Sequence, residues 1–414
     1  MSLQSRLPNN FLNGTLFSNM ENTSKIIGAV QHSDCIVIGA GIAGASLAAS
    51  LAGHFKVTVL EAEPQAGYHS TGRSAALYAP IYGNAVIRAL TRASRPFFDA
   101  PPTSTMAASL LRPRDTLFLV GAGQEALVEA FRAEADIRAG TLSLNADETL
   151  ARVPVLTRER IAGALVDPGS ADIDVDLLHQ GFLRQARAQG AKLALSERLL
   201  GLERQGSDWL ARTTTGSHRA PVVVNAAGAW ADTVAQLAGL APMPLQPMRR
   251  TAALVDVPGG LDCSAWPAVV TIDERLYFKP EAGLLLISPA DETPSPPCDA
   301  QPEEWDVAVA VDRFEALTGR PVRKVHHRWA GLRVFSPDRS PVVGYDPAAA
   351  GFFWCAGHGG YGIQTAPALA RLAAALVLGH GLPGDLEAMG ISAAPLSPER
   401  FHRSTSARPV LSTD

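Results

Sequence analysis

The sequence predicts an α/β fold in which a twisted parallel sheet, flanked by helices, is interrupted by a second, α+β region. Three observations predict it. Residues 34–38 read as a buried strand, an Ala/Leu-rich helix follows, and residues 56–60 read as a second strand, an order that sets parallel strands side by side. Far along the chain, Val222-Val223-Val224 runs into Asn225-Ala226-Ala227-Gly228, and His358-Gly359-Gly360-Tyr361-Gly362 precedes another Ala/Leu-rich helix. These are again small-residue turns that let backbone approach a ligand. Between them, residues 247–327 mix strand-like runs with Pro-rich loops such as Thr293-Pro294-Ser295-Pro296-Pro297. The parallel sheet is therefore expected from discontinuous segments, 33–112, 170–246 and 328–385. Residues 113–169 and 247–327 are expected to form the second domain.

The elements follow in order. A helix is expected over residues 84–98, with Val86, Ile87, Leu90 and Ala93 on one face, and a strand at residues 116–120. Asp174 can cap a helix whose Leu178, Phe182 and Ala186 recur every four residues. Residues 199–215 alternate like short strands joined by turns, and residues 366–378 read as a late helix.

Composition sets the outer frame. The 414 residues are 47% hydrophobic and 18% charged, enough to bury a sizeable core. Acidic residues number 40 and basic ones 36, a net charge of -4, so no basic excess draws in nucleic acid or an anionic membrane. Cys35, Cys263, Cys298 and Cys355 are scattered with no CxxC pair, so neither a metal site nor a disulfide framework is expected, and a reducing cytoplasm fits. No stretch is apolar enough for an integral membrane protein. Residues 1–32, polar and Asn-rich with only Arg6 and Lys25 as basic residues, read as a disordered N-terminal extension. Residues 386–414 read as a frayed C-terminal tail.

The strongest motif is Gly39-Ala40-Gly41-Ile42-Ala43-Gly44, directly between the first strand and its helix, with Glu61 ending the second strand 22 residues after Gly39. Gly39 permits the tight turn, Gly41 lets a pyrophosphate sit on the helix N-terminus, Gly44 permits close helix-to-strand packing, and Glu61 can hold ribose hydroxyls. This is a Rossmann-type dinucleotide fingerprint, shared by FAD and NAD proteins.

The stretch Gly67-Tyr68-His69-Ser70-Thr71-Gly72-Arg73-Ser74-Ala75-Ala76 bears on that choice. So do Asp172-Ile173-Asp174, Leu245-Gln246-Pro247, Trp329-Ala330-Gly331-Leu332-Arg333 and the late Gly-Gly-Tyr-Gly-Ile-Gln segment. Together they resemble the D-amino acid oxidase (DAO) superfamily, most closely bacterial D-arginine dehydrogenases, from Asp34 to the tail. The resemblance implies FAD and a DAO/glutathione-reductase-like topology with a discontinuous substrate domain. It implies cofactor contacts from Ala43, Glu61, Ala62, Ser70, Thr71, Arg73, Ser74, Ala75 and Leu77. Leu199 would offer backbone to the adenine, and Gly360, Gly362, Ile363 and Gln364 would close over the flavin ring. Some relatives attach flavin through Cys or His, but Val334-Phe335-Ser336-Pro337-Asp338 holds no thiol, so FAD is expected to be non-covalent.

A buried substrate carboxylate needs cationic partners. By resemblance these are Arg250 and Arg333, with hydroxyls from Tyr82 and Tyr277, while the Gly360 carbonyl and Gln364 lie near the amine. On the residues alone, Arg250 beside Arg249 reads equally as a solvated surface pair, and Tyr82 as a core aromatic.

The pattern breaks at Thr116, where D-arginine dehydrogenases place the carboxylate that receives the guanidinium. Asp115 is adjacent, but neighbouring strand residues point to opposite faces. Leu77 replaces a His, Ala79 a Thr, and Ala268, opposite Val270, a larger side chain. The expectation is a D-amino acid dehydrogenase with a less polar side-chain pocket, favouring apolar or medium-sized substrates. A quinone or carrier is favoured over O₂ as electron acceptor. No side chain is an obvious general base, and His358 reads equally as a structural hydrogen-bonder. Alternatives are a secondary-amine or imino-acid oxidoreductase of the sarcosine or proline type, a 2-hydroxy acid oxidoreductase, and a flavin-holding subunit without turnover.

Overall fold

The structure is a computed structural model that describes residues 30–106 and 108–402. Its core starts at β1 (Cys35–Ile38), four buried residues in a row, as a strand covered on both faces requires. α1 (Ile42–Leu51) and the equally buried β2 (Val57–Leu60) complete the first unit. After β3 (Leu77–Tyr78), α2 (Ala85–Asp99) begins at Asn84, whose side chain accepts a hydrogen bond from Ile87 N at 3.0 Å. Next come β4 (Thr116–Val120), β5 (Gly163–Asp167) and β6 (Ala171–Ile173). α3 (Val175–Ala188) carries the expected cap, with Asp174 accepting from Leu177 N at 2.8 Å. β7 (Lys192–Ala194), β8 (Val222–Asn225) and α4 (Ala231–Leu237) follow. The next run is β9 (Gln246–Val255), β10 (Ala268–Thr271), β11 (Tyr277–Glu281), β12 (Leu284–Ser288) and α5 (Glu304–Thr318). β13 (Val325–Phe335), β14 (Val342–Tyr345), β15 (Phe352–Ala356) and α6 (Gly362–Val377) close the sequence of large elements.

Two sheets organise these elements. The first has the order β7-β2-β1-β8-β15-β14, parallel except for its last pair, and α1 packs on it between α3 and α6. The second is antiparallel apart from the β10–β4 pair, and its main run is β13-β9-β12-β11-β10-β4-β5. One face of the second sheet buries Leu117, Leu119, Val269, Phe278 and Ile287 against Phe314 of α5. On the other, Phe118, Leu165 and Ile272 pack with Ile81 from the segment before α2.

Three boundaries differ from the sequence expectation. β13 pairs with β9 along its length, so residues up to Phe335 belong to the second sheet and the first resumes at β14. Gln31 and His32 form a short strand paired with His218 and Arg219, while residues 1–29 lie outside the described residues. Residues 386–402 are not frayed: Leu386, Ile391 and Leu396 are buried in the core and Arg400 bonds Asp338 at 2.8 Å. Three well-spaced apolar residues hold down a segment whose Ser/Pro content hid them, and residues 403–414 lie outside the described residues. Among the described residues no helix is long and apolar enough to cross a membrane, and no group of three or more His, Cys, Asp or Glu is placed to hold a metal ion.

Candidate active site

The β1–α1 turn is built for backbone-to-ligand contact. Gly39 has φ +101°, and a Cβ there would lie 2.5 Å from the Ala226 carbonyl oxygen. A Cβ on Gly44 would lie 1.9 Å from the Gly39 carbonyl oxygen, so the helix sits at a distance only glycine permits. Ile42 N at the start of α1 donates to Thr71 Oγ1 at 3.0 Å. Glu61 is fixed by Ala40 N on one oxygen, at 2.8 Å, and Glu63 N on the other, at 2.9 Å.

From this turn a cavity of about 540 Å³ runs to β9, β11 and β13. Gly39, Gly41, Ala43, Glu61 and Ala62 wall one end, together with Leu199. Ser70, Thr71, Arg73, Ser74 and Ala75 form a side, and Gly360, Gly362 and Ile363 close another. Arg250, Tyr277 and Arg333 stand in the wall as well. No cysteine does. Arg73 is nevertheless engaged with protein, donating to the Ala300 carbonyl at 2.8 Å and the Ala330 carbonyl at 3.1 Å and pairing with Asp299.

Gly44, Leu77, Tyr82, Thr116 and Gln364 do not reach the wall. Leu77 is drawn away by β3, which pairs it with Asp172 of β6. Tyr82 is packed against Tyr361, ring centroids 5.3 Å apart, and burial first, then Glu274, pushes its phenol up. Gln364 accepts from Ala79 N at 3.0 Å, which leaves its buried amide nitrogen without a partner. Its spare capacity is to donate, so it suits an acceptor better than the substrate amine expected from the sequence. Asp115 turns to Arg152 at 2.8 Å, away from Thr116.

The arginines carry the electrostatics. Arg250 donates from Nε to the Asp291 carbonyl at 2.6 Å and reaches Glu292 at 3.2 Å. Burial, then the neighbouring Arg333, holds its guanidinium below the usual range. Arg333 itself makes no hydrogen bond or ion pair among the described residues. The β9–β13 register sets Arg250 against Gly331 and Met248 against Arg333, so both arginines share one face. Gly360 makes room as well, since a Cβ there would lie 2.9 Å from Arg333 Nη1. Two adjacent guanidiniums, one unpaired, constitute an anion site.

Sequence reasoning missed several contributors. Trp230, Thr233, Val234 and Leu237 wall the cavity just past the small-residue turn after β8. Glu274 takes a left-handed φ of 54° in the turn before β11, and burial keeps its carboxyl above the usual range despite Arg250. Asp273-Glu274-Arg275 reads as an ordinary surface turn, and no signal marked it. His358, in the wall, is lowered to about 4 by burial and is neutral near pH 7.

The pattern of the family described as DAO: FAD dependent oxidoreductase matches residues 34–376. The chain belongs to the DAO family of FAD-dependent oxidoreductases. Its cofactor is FAD, and the glycine cradle and Glu61 fit that group. Among curated relatives, this DAO-family chain is 27% identical to a glycine oxidase of Pseudomonas aeruginosa, over 83% of this chain and 94% of that one. It is 28% identical to a D-amino acid dehydrogenase of Cereibacter sphaeroides, over 62% of this chain and 57% of that one. The match spans 61% of a glycine oxidase of Geobacillus kaustophilus and 35% of FAD-dependent oxidoreductase domain-containing protein 1 of Xenopus laevis. The fold is shared with L-proline dehydrogenase from P. horikoshii, at TM-score 0.76 and 23% identity over 91% of this chain and 99% of that one.

Proposed function

We propose that this flavoprotein is a D-amino acid dehydrogenase that converts its substrate to a 2-oxo acid and ammonia. The observation that carries the reading is the Arg250–Arg333 pair in the wall of the cofactor cavity, with Arg333 making no hydrogen bond or ion pair among the described residues. The D-amino acid class is supported by the match to a D-amino acid dehydrogenase and by the resemblance of residues 67–76 to the D-arginine dehydrogenases.

Arg250 and Arg333 bind the substrate carboxylate, and because Arg250 is anchored by Asp291 and Glu292, the clamp is preorganised rather than gathered on binding. Tyr277, in the wall, limits how the α-carbon is presented, while Tyr82 stays outside the wall against Tyr361. When bound, FAD supplies the hydride acceptor. Among the described residues of the wall none is poised as a general base: His358 is neutral but too weakly basic at about 4, and the ammonium proton goes to solvent. The imino acid is hydrolysed by water after release. A quinone or protein carrier takes the electrons.

Glycine and secondary amines form the second reading, favoured by the matches to glycine oxidases. Anaerobic reduction of the purified flavoprotein, followed in its visible absorbance, separates the two. D-amino acids bearing side chains should bleach it faster than their L-enantiomers, glycine, sarcosine or D-2-hydroxy acids. Faster bleaching by glycine or sarcosine would transfer the assignment.

A further inference from the structure

Arg250 is held by protein from one side only. Its Nε donates to the Asp291 carbonyl at 2.6 Å and its Nη2 reaches Glu292 Oε1 at 3.2 Å, while Nη1 makes no hydrogen bond among the described residues. Glu292 is thus a carboxylate within reach of the group that has to hold a substrate carboxylate, and two anions on one guanidinium weaken each other's hold. Closed fully onto Arg250, Glu292 would form the two parallel bonds that a guanidinium fork favours and would cancel the charge the substrate needs.

A third arginine opposes this. Arg339 donates from Nη2 to Glu292 Oε1 at 2.7 Å and from Nη1 to Oε2 at 3.1 Å, so the bidentate pair belongs to Arg339 and Arg250 keeps a single, longer contact. Burial alone would raise the Glu292 carboxyl, yet the bond to Arg339, with the charges of Arg339, Arg250 and Arg333 behind it, holds it below the usual range. Arg339 is itself fixed in place. Its guanidinium lies over the Phe335 ring at 4.0 Å, and its backbone N donates to the Ser336 carbonyl at 3.0 Å. Its φ of 59° is left-handed, a conformation that an arginine keeps only where its surroundings impose it. Asn84 imposes it from α2, donating to the Asp338 carbonyl at 3.2 Å and to Ser340 Oγ at 3.0 Å. Neither Glu292 nor Arg339 stands in the cavity wall, so any effect on substrate runs through Arg250, which does.

We propose that Arg339 is a positioning residue for substrate binding: it holds Glu292 in a bidentate pair, keeps that carboxylate from closing onto Arg250, and so leaves Arg250 to receive the substrate carboxylate. The inference rests on the carboxylate clamp read above and adds to it two residues that touch neither substrate nor cofactor. It gives Glu292 two opposed roles. Its Oε1 orients Arg250 Nη2, while its charge competes with the substrate and has to be occupied by a cation of its own. A lysine at position 339 would keep that cation but lose the planar fork, so the geometry of the pair can be tested apart from its charge.

The test uses the FAD-loaded full chain and its Arg339→Gln, Arg339→Lys and Glu292→Gln variants, with each Arg339 change also combined with Glu292→Gln. Anaerobic reduction by D-leucine, followed against concentration, separates apparent binding from the limiting rate, and acetate, a carboxylate without an amine, is measured as a competitor. Arg339→Gln should weaken apparent binding of both about tenfold and Arg339→Lys about threefold, as coupled charged neighbours do, with limiting rates changed by less than about twofold. Glu292→Gln, whose amide oxygen still accepts from Arg250 but carries no charge, should tighten binding about threefold, and in its background either Arg339 change should cost less than about twofold. If Arg339→Gln does not fold or hold flavin, Arg339→Lys and its double variant decide. Unchanged binding in the Arg339 variants, a loss confined to the limiting rate, or an equal loss with and without Glu292→Gln would overturn the inference, while reduction of the wild type by D-leucine keeps the amino-acid reading. Reduction of the wild type by glycine and not by D-leucine would overturn the D-amino acid reading instead, and the same comparison on glycine then decides the inference. Reduction by no amino acid would overturn both.

Discussion

Replacing Arg333 by Met tests the carboxylate clamp at its least supported member. The substitution keeps a long apolar stem and removes a guanidinium that has no hydrogen bond or ion pair among the described residues. Without substrate that charge makes Arg250 harder to keep protonated but also favours the ionised Glu274 and Glu292 nearby, so the two effects oppose and the variant should melt close to the wild type. Binding should suffer instead. Truncating one partner of a desolvated charge pair costs about 2–5 kcal/mol, and each 1.4 kcal/mol is about tenfold. Arg250 remains in place on the Asp291 carbonyl and Glu292, which puts the loss in the lower half of that range, about 30- to 300-fold. Anaerobic reduction rates measured against substrate concentration should show most of this loss as weaker apparent binding. Undiminished reduction by a folded, flavin-bearing variant would refute the clamp. A melting temperature several degrees lower would also refute it, because Arg333 would then be holding the fold.

Gly44→Ala should yield protein without flavin, because its Cβ would meet the Gly39 carbonyl oxygen at 1.9 Å; a cost of about 3 kcal/mol is expected from such overpacking, and the flavin-to-protein absorbance ratio checks it. His358 sits at about 4 against an ordinary 6.5, so on acidification the unfolded chain takes the proton first. Its contribution is full above pH 6.5 and lost as pH falls to 4, up to about 3 kcal/mol. Melting temperature between those values should fall more steeply for the wild type than for His358→Gln. Asp232 is raised to about 6 from 3.8 by burial, so its folded form is favoured in acid and disfavoured as pH rises through 6. Asp232→Asn, which can keep the 2.9 Å bond from Met243 N, should stabilise the protein near pH 8 by about 1–2 kcal/mol once the group's partial exposure is discounted. At pH 4 the two should melt alike.

What was legible in the sequence was what is local. The β1–α1 turn, Glu61 and the Asp174 cap are set by residues close in the chain, and all lie where the pattern puts them. The clamp was legible only through resemblance, since composition does not distinguish Arg249 from Arg250. Strand alternation does: Arg249 pairs with Glu303 and Asp306, while Arg250 turns into the cavity wall. The boundary at residue 328 failed for a related reason. Nothing near Val325 records that its strand partner lies some seventy residues earlier, at Val255.

The strand order of the six-stranded sheet constrains how this protein can be made. β8 sits between β1 and β15, with β14 beyond. A nascent chain that has emerged as far as residue 245 presents β7, β2, β1 and β8, and the outer edge of β8 is bare, an invitation to pairing with the wrong neighbour. The wall residues from Gly357 to Ile363 are by then not yet synthesised. Capture of the cofactor therefore waits for nearly the whole polypeptide, and until β15 arrives the half-built sheet depends on its cellular surroundings to stay out of aggregates.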